Sequence, residues 1–115
     1  MNLFLVAVGG FLGSISRFYI SEKTQKRLIG TWLANITGSV ILAFVYYLHI
    51  DGNLSEKIWF FLGIGFCGAF TTFSTFGNDT LSLIIDNKYK EAIQYISTTL
   101  LISLALVFLV WANFN

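Results

Sequence analysis

The chain contains no proline, a single cysteine and a single histidine. Each shortage closes off some chemistry. Without proline, a helix can be interrupted only by glycine or by hydroxyl side chains that compete for backbone hydrogen bonds. A lone Cys67 forbids an internal disulfide and any CxxC metal or redox motif. Within an apolar run it reads as a small buried hydrophobe. His49 closes an apolar segment and reads as an interfacial residue. Cys/His catalysis and metal enzymology therefore have no ligand set, and an enzyme is not expected; nor is a nucleic-acid partner. Charge is scarce as well: 11% of 115 residues are charged and 56% are hydrophobic. Soluble domains carry about 25% charged residues, and a domain this small keeps much of its surface exposed. The solvent that tolerates such a surface is lipid.

Long apolar runs are what the chain has in plenty. A bilayer core takes about 20 mostly apolar residues per helix, and four such runs occur, roughly at residues 2–20, 29–50, 57–86 and 92–114. Between them stand "SEKTQKRL", "DGNLSE" and "DNKYKE", turn chemistry too short for a soluble domain. The reading is an all-α membrane protein, residues 1–115 forming one unit of four transmembrane helices packed as antiparallel neighbours. The first run lacks a basic start and carries Arg17 where a signal-cleavage motif would stand, so it reads as a span. Connections one and three share a side and hold Lys23, Lys26, Arg27, Lys88 and Lys90, whereas the opposite side holds Lys57. The positive-inside rule then places connections one and three in the cytoplasm and both termini outside.

The polar residues inside the spans are informative. In "GGFLGSISR", Gly9 and Gly13 make a G-x-x-x-G pair, which permits close helix packing in lipid. Arg17 lies on the Gly10 and Gly13 face; a guanidinium turned to lipid costs at least about 2.5 kcal/mol, so it snorkels to the interface or faces a wet vestibule. Asn35 shares a face with Thr31 and Gly38, and its amide either bonds to a neighbouring helix or donates to a passing anion. In the fourth run Tyr95, Thr99 and Ser103 recur every four residues, a stripe of hydroxyls along one helix face. Such hydroxyls either bond back to i−4 carbonyls or form a ladder of donors for a dehydrating anion.

The third run is the unusual one. Its "GIGFCG" matches G-x-G-x-x-G, but no strand or βαβ unit accompanies it, so the dinucleotide reading fails. After it, Gly68 loosens the helix and Thr71, Thr72, Ser74 and Thr75 compete for the backbone, so the third helix is expected to break. Carbonyls freed at such a break suit a hard cation. Phe73 and Phe76, three residues apart, share a side, and a phenyl edge turned inward meets an anion without a full charge.

The blocks "GGFLGSISR", "GTWLANITGS" and above all "GFCGAFTTFSTFGND" resemble, in order, the Fluc/CrcB fluoride-channel family. The resemblance implies an antiparallel dual-topology dimer with two fluoride pathways, in the plasma membrane, giving passive electrogenic fluoride efflux and fluoride resistance. It implies a structural, untransported sodium ion held by the main-chain carbonyls of Gly68 and Thr71 from both subunits. The pore asparagine falls on Asn35, the paired phenylalanines on Phe73 and Phe76, and the vestibule arginine on Arg17. The polar track falls on Ser74, Tyr95, Thr99 and Ser103. Ala69 departs from a frequent second glycine and Asp79 from a frequent glutamate.

The alternatives are a proton-coupled exporter of the small multidrug type and a non-transporting assembly subunit. The exporter needs a membrane-embedded carboxylate, normally in the first span, whereas the carboxylates here are expected toward helix ends. The basic bias between sides leaves two assemblies open: a homodimer, or a pairing with an oppositely biased homologous subunit.

Overall fold

The third span bends sharply where two threonines leave the helix, and the rest of the fold is arranged to hold that bend. The structure, a computed structural model, describes residues 2–24 and 27–114. Lys26, counted in the charge bias, lies outside the described residues. Four helices are long and apolar enough to cross a membrane: Leu3–Thr24, Leu28–Ile50, Glu56–Ile85 and Tyr89–Asn113. Among the described residues every regular element is helical. This is a multi-pass membrane protein.

The first helix runs to Thr24, beyond the expected limit near residue 20, so Ser21 to Thr24 continue the helix rather than forming a turn. The reason is local: "SEKT" contains neither glycine nor proline, and Thr24 bonds its hydroxyl back to Ser21 O at 3.2 Å. The second connection is a true turn, with Gly52 in the left-handed region at φ 79°. In the third connection Asn87 takes that conformation at φ 62° and terminates the preceding helix.

The third span has two arms. The first covers residues 56–70 and is wound as a π-helix over Trp59–Cys67. The second is an α-helix, Ser74–Ile85. The π winding was not anticipated from the sequence. Glycines line its contact with the first helix, Gly65 from this arm and Gly9 and Gly13 from the other side, and they matter sterically. A Cβ at Gly9 would lie 2.1 Å from Phe61 O, and one at Gly13 would lie 2.3 Å from Phe66 O. The two backbones therefore touch with no side chain between them, the close packing expected of the glycine pair. The second helix is the hub, packing on the first, the fourth and both arms of the third. Its inward face carries Thr31, Asn35 and Gly38, and Gly38 sits so close to the bend that an added Cβ would meet Thr71 Cγ2 at 2.4 Å. Cys67 is fully buried one turn before the bend. His49 stacks on Trp59 with ring centroids 4.7 Å apart, in an aromatic group with Tyr46 and Trp111 near one end of the bundle.

Candidate ion pathway and helix break

The break is a redistribution of backbone hydrogen bonds. Thr71 is extended at φ −84° and ψ 157°. Its N–H and its hydroxyl both donate to Cys67 O, at 3.1 and 2.9 Å. Thr72 then leaves the helical ladder: its N–H donates to Asn35 Oδ1 at 2.7 Å. Asn35 Nδ2 donates in turn to Thr72 O at 2.9 Å. One side-chain amide thus replaces both backbone partners of a single residue, as a neighbouring strand would. Thr72 Oγ1 accepts the N–H of Thr75 at 3.2 Å, satisfying a donor of the second arm's first turn. On the opposite side of the bend, Arg17 Nη1 donates to Ala69 O at 2.8 Å and to Thr71 O at 3.3 Å.

This assigns places to the residues singled out above. Asn35 makes the interhelical bond, directed at backbone rather than at a side chain. Arg17 neither snorkels freely nor stands alone; it grips the break and also lines a cavity of about 610 Å³ with Ser14, Ser21, Glu22, Thr31 and Thr75. The Thr72 N–H, ordinarily the helical donor to Gly68 O, is the group taken by Asn35. Gly68 itself is exposed on the protomer. Its carbonyl is thereby released from helical duty, and that of Thr71, whose usual donor Thr75 N–H goes to Thr72 Oγ1, accepts from Arg17 instead. Among the described residues no group of three His, Cys, Asp or Glu is placed to hold a metal ion. A cation at this level would rest on main-chain oxygen, the donor type a hard ion prefers.

Beside the break runs a groove of about 390 Å³, lined among others by Asn35, Thr72, Phe73, Phe76, Thr99 and Ser103. Its polar atoms are hydroxyls, an amide and backbone; its walls are leucines and phenyl rings. Phe73 is 83% exposed at its rim, and its ring lies 6.4 Å from that of Phe76. Tyr95 does not line the groove. Its ring packs at 5.1 Å from Phe76, and its hydroxyl donates to Asp79 Oδ2 at 3.2 Å. Ser74 also lies outside the groove, with its Oγ 3.4 Å from Thr72 Oγ1. Thr99 bonds back to Tyr95 O at 2.6 Å, the helix-internal option for a hydroxyl stripe. Ser103 does not: its Oγ is buried, lines the groove and has no hydrogen-bond partner.

Two functional candidates escaped the sequence. Thr72 stood in the motif, but only the fold reveals that it anchors both arms. Asp79 was expected near a helix end with the other carboxylates; instead it sits mid-way along Ser74–Ile85 and is 5% exposed. The available signal was its spacing, three residues after Phe76, which turns it toward the Tyr95 side.

Comparison with known proteins now bears on this architecture. The family model described as CrcB-like protein, Camphor Resistance (CrcB), matches residues 4–111. The chain belongs to the CrcB family. Curated CrcB relatives include a protein of Thermococcus onnurineus named fluoride-specific ion channel FluC, 41% identical over 90% of this chain and 88% of its own length. A protein of the same name from Pyrococcus horikoshii is 38% identical over 91% and 89%. Another from Bacteroides fragilis is 35% identical over 92% and 90%. The identity extends across the four spans, so the break, the groove and the Arg17 grip all fall within the CrcB match.

Proposed function

We propose that this CrcB chain is a subunit of a fluoride-selective channel that lets fluoride leave the cytoplasm passively and electrogenically across the plasma membrane. The observation that carries the reading is the groove itself, which brings Asn35, the Phe76 ring, Thr99 and Ser103 together and has the Ser103 hydroxyl buried and unpartnered beside it. A buried donor left unpaired costs about 1–3 kcal/mol, so its persistence here calls for an occupant that accepts hydrogen bonds. Fluoride fits: it is small, accepts from hydroxyl and amide donors, and is attracted by ring edges without a fixed cation that would trap it. The names of the curated relatives support the same ion.

The driving force needs no coupling. Fluoride enters cells as a neutral weak acid and dissociates inside, and an inside-negative potential then expels the anion at about 2.3 kcal/mol per 100 mV. A pore is sufficient. It is not an enzyme, and its action would confer fluoride resistance.

The single chain leaves the pathway open on one side. Phe73 is 83% exposed and projects from the chain beside the groove. An antiparallel, dual-topology dimer closes it, with lipid around the outer faces. Gly68 and Thr71 carbonyls from both copies would then hold a structural sodium ion, which supplies positive potential and a link between subunits and is not transported. The partner is a second copy of this chain or a homologous subunit of opposite basic bias.

The small-multidrug exporter is less well supported. Its mechanism requires a carboxylate facing the substrate cavity; Asp79 is buried against Tyr95 and lines neither the groove nor the vestibule. A non-transporting assembly subunit leaves the unpaired Ser103 hydroxyl without a use. Liposome efflux read by a fluoride electrode, with potassium shunted, separates all three. Protein purified from this gene alone should release fluoride and retain chloride. A silent preparation that rescues no fluoride-sensitive host, though well inserted, would point to a missing partner subunit; silence with that partner present would reject the channel.

A further inference from the structure

We propose that Arg17 is a positioning residue whose guanidinium, through two hydrogen bonds from Nη1 rather than its charge alone, holds the break of the third span open within each protomer. The inference rests on the channel reading for its flux readout but not for its geometry. A helix leaves its last carbonyls without intrahelical partners. In the first arm Cys67 O is satisfied by Thr71, while Ala69 O is reached by Arg17 from more than 50 residues away in sequence, at 2.8 Å. The same Nη1 reaches Thr71 O at 3.3 Å, spanning the residue where the chain becomes extended. The negative end of the first arm's dipole adds to the attraction. Asn35 takes Thr72 from the second helix, so Arg17 and Asn35 grip successive residues of the extended segment from different helices.

The placement of Arg17 follows from the glycines. Gly9, Gly13 and Arg17 are spaced four apart on the first helix, and the two glycines let that helix touch the first arm backbone to backbone. Arg17 continues the same face by one turn and meets the carbonyls where the arm ends. The close approach and the grip are one device. The bonds from Arg17 and Asn35 to the break lie within one chain, and a cation between subunits would join two such bends.

An electrostatic lure for anions and a mechanical grip make opposite predictions for lysine. Lysine keeps the charge but not the planar fork. Arg17→Lys, Arg17→Gln and wild type would be compared for fluoride efflux and for modification of Cys67 by a water-soluble maleimide. Cys67 is fully buried beside the break and is the only thiol, so it reports loosening there. If the paired bonds from Nη1 matter, Arg17→Lys loses efflux by at least about tenfold, close to Arg17→Gln, and Cys67 reacts at least about tenfold faster in both. Efflux in Arg17→Lys within about twofold of wild type, with Cys67 still protected, overturns the proposal. Should either variant fail to fold, solid-state NMR on the wild-type protein in lipid decides: a dipolar contact is expected between the Arg17 guanidinium nitrogens and the Ala69 carbonyl carbon, and its absence rejects the grip. A wild-type protein that conducts no fluoride even with its partner subunit present refutes the channel reading, while the Cys67 and NMR results still judge Arg17.

Discussion

Replacing Asn35 with aspartate tests the bend and the pathway together, because it exchanges one heavy atom, the amide nitrogen for an oxygen, and leaves the shape of the side chain intact. In the native protein Oδ1 accepts Thr72 N–H at 2.7 Å and Nδ2 donates to Thr72 O at 2.9 Å. Asn35→Asp keeps the first bond and turns the second into two oxygens facing each other. Losing a bond and stranding a half-buried carbonyl together cost about 2–4 kcal/mol. The new charge acts separately. At about 4 Å and an effective dielectric of about 20, like charges repel by about 4 kcal/mol, which is about a thousandfold on the passage of an anion. Asn35→Leu serves as the uncharged comparison. It removes both bonds, about 2 kcal/mol, or about thirtyfold in the population of the ordered bend. Efflux from liposomes, measured with a fluoride electrode under a potassium shunt, should therefore fall by about a thousandfold or more in Asn35→Asp and by about thirtyfold in Asn35→Leu. An Asn35→Asp channel conducting within threefold of wild type would mean that neither the amide donor nor the local field matters, and the pathway drawn beside Asn35 would be wrong.

Other substitutions probe separate parts. Phe76→Ile removes the ring that lies between the groove and Tyr95; flux should be largely lost while the elution on size exclusion stays that of wild type. Ser103→Ala deletes an unpartnered hydroxyl, so thermal stability should hold or rise slightly while efflux falls only a few-fold, because neighbouring donors remain. Gly13→Ala would place a methyl 2.3 Å from Phe66 O, backbone that cannot swing aside, and should destabilise the fold by about 1–3 kcal/mol in a detergent melt.

The bend illustrates what can be read before any fold is known. A run of hydroxyls after Gly68, in a chain free of proline, already implied an interrupted helix, because those side chains offer the backbone local alternatives to the ladder. The partners that make the interruption permanent were not legible. Asn35 was open both to a hydrogen bond to a neighbour and to a donor role toward an ion, and only its closeness to Thr72 decides that its amide is spent on backbone. The hydroxyl stripe of the fourth helix divides in the same way. Period four aligned Tyr95, Thr99 and Ser103, yet in the fold Tyr95 turns to Asp79, Thr99 bonds to its own helix and Ser103 faces the groove.

The solvent, the number of spans and the place of the break follow from residue order alone. Composition, run length and hydroxyl competition act locally, and lipid leaves the backbone no choice but helix wherever nothing interrupts it. Only the tertiary structure decided which carbonyls are freed, which side chains claim them and where a buried carboxylate such as Asp79 hides. Those outcomes depend on the approach of helices far apart in the chain, set by glycines that allow backbones to touch. Hydrogen bonds of about 3 Å cannot be inferred from spacing until that approach is known.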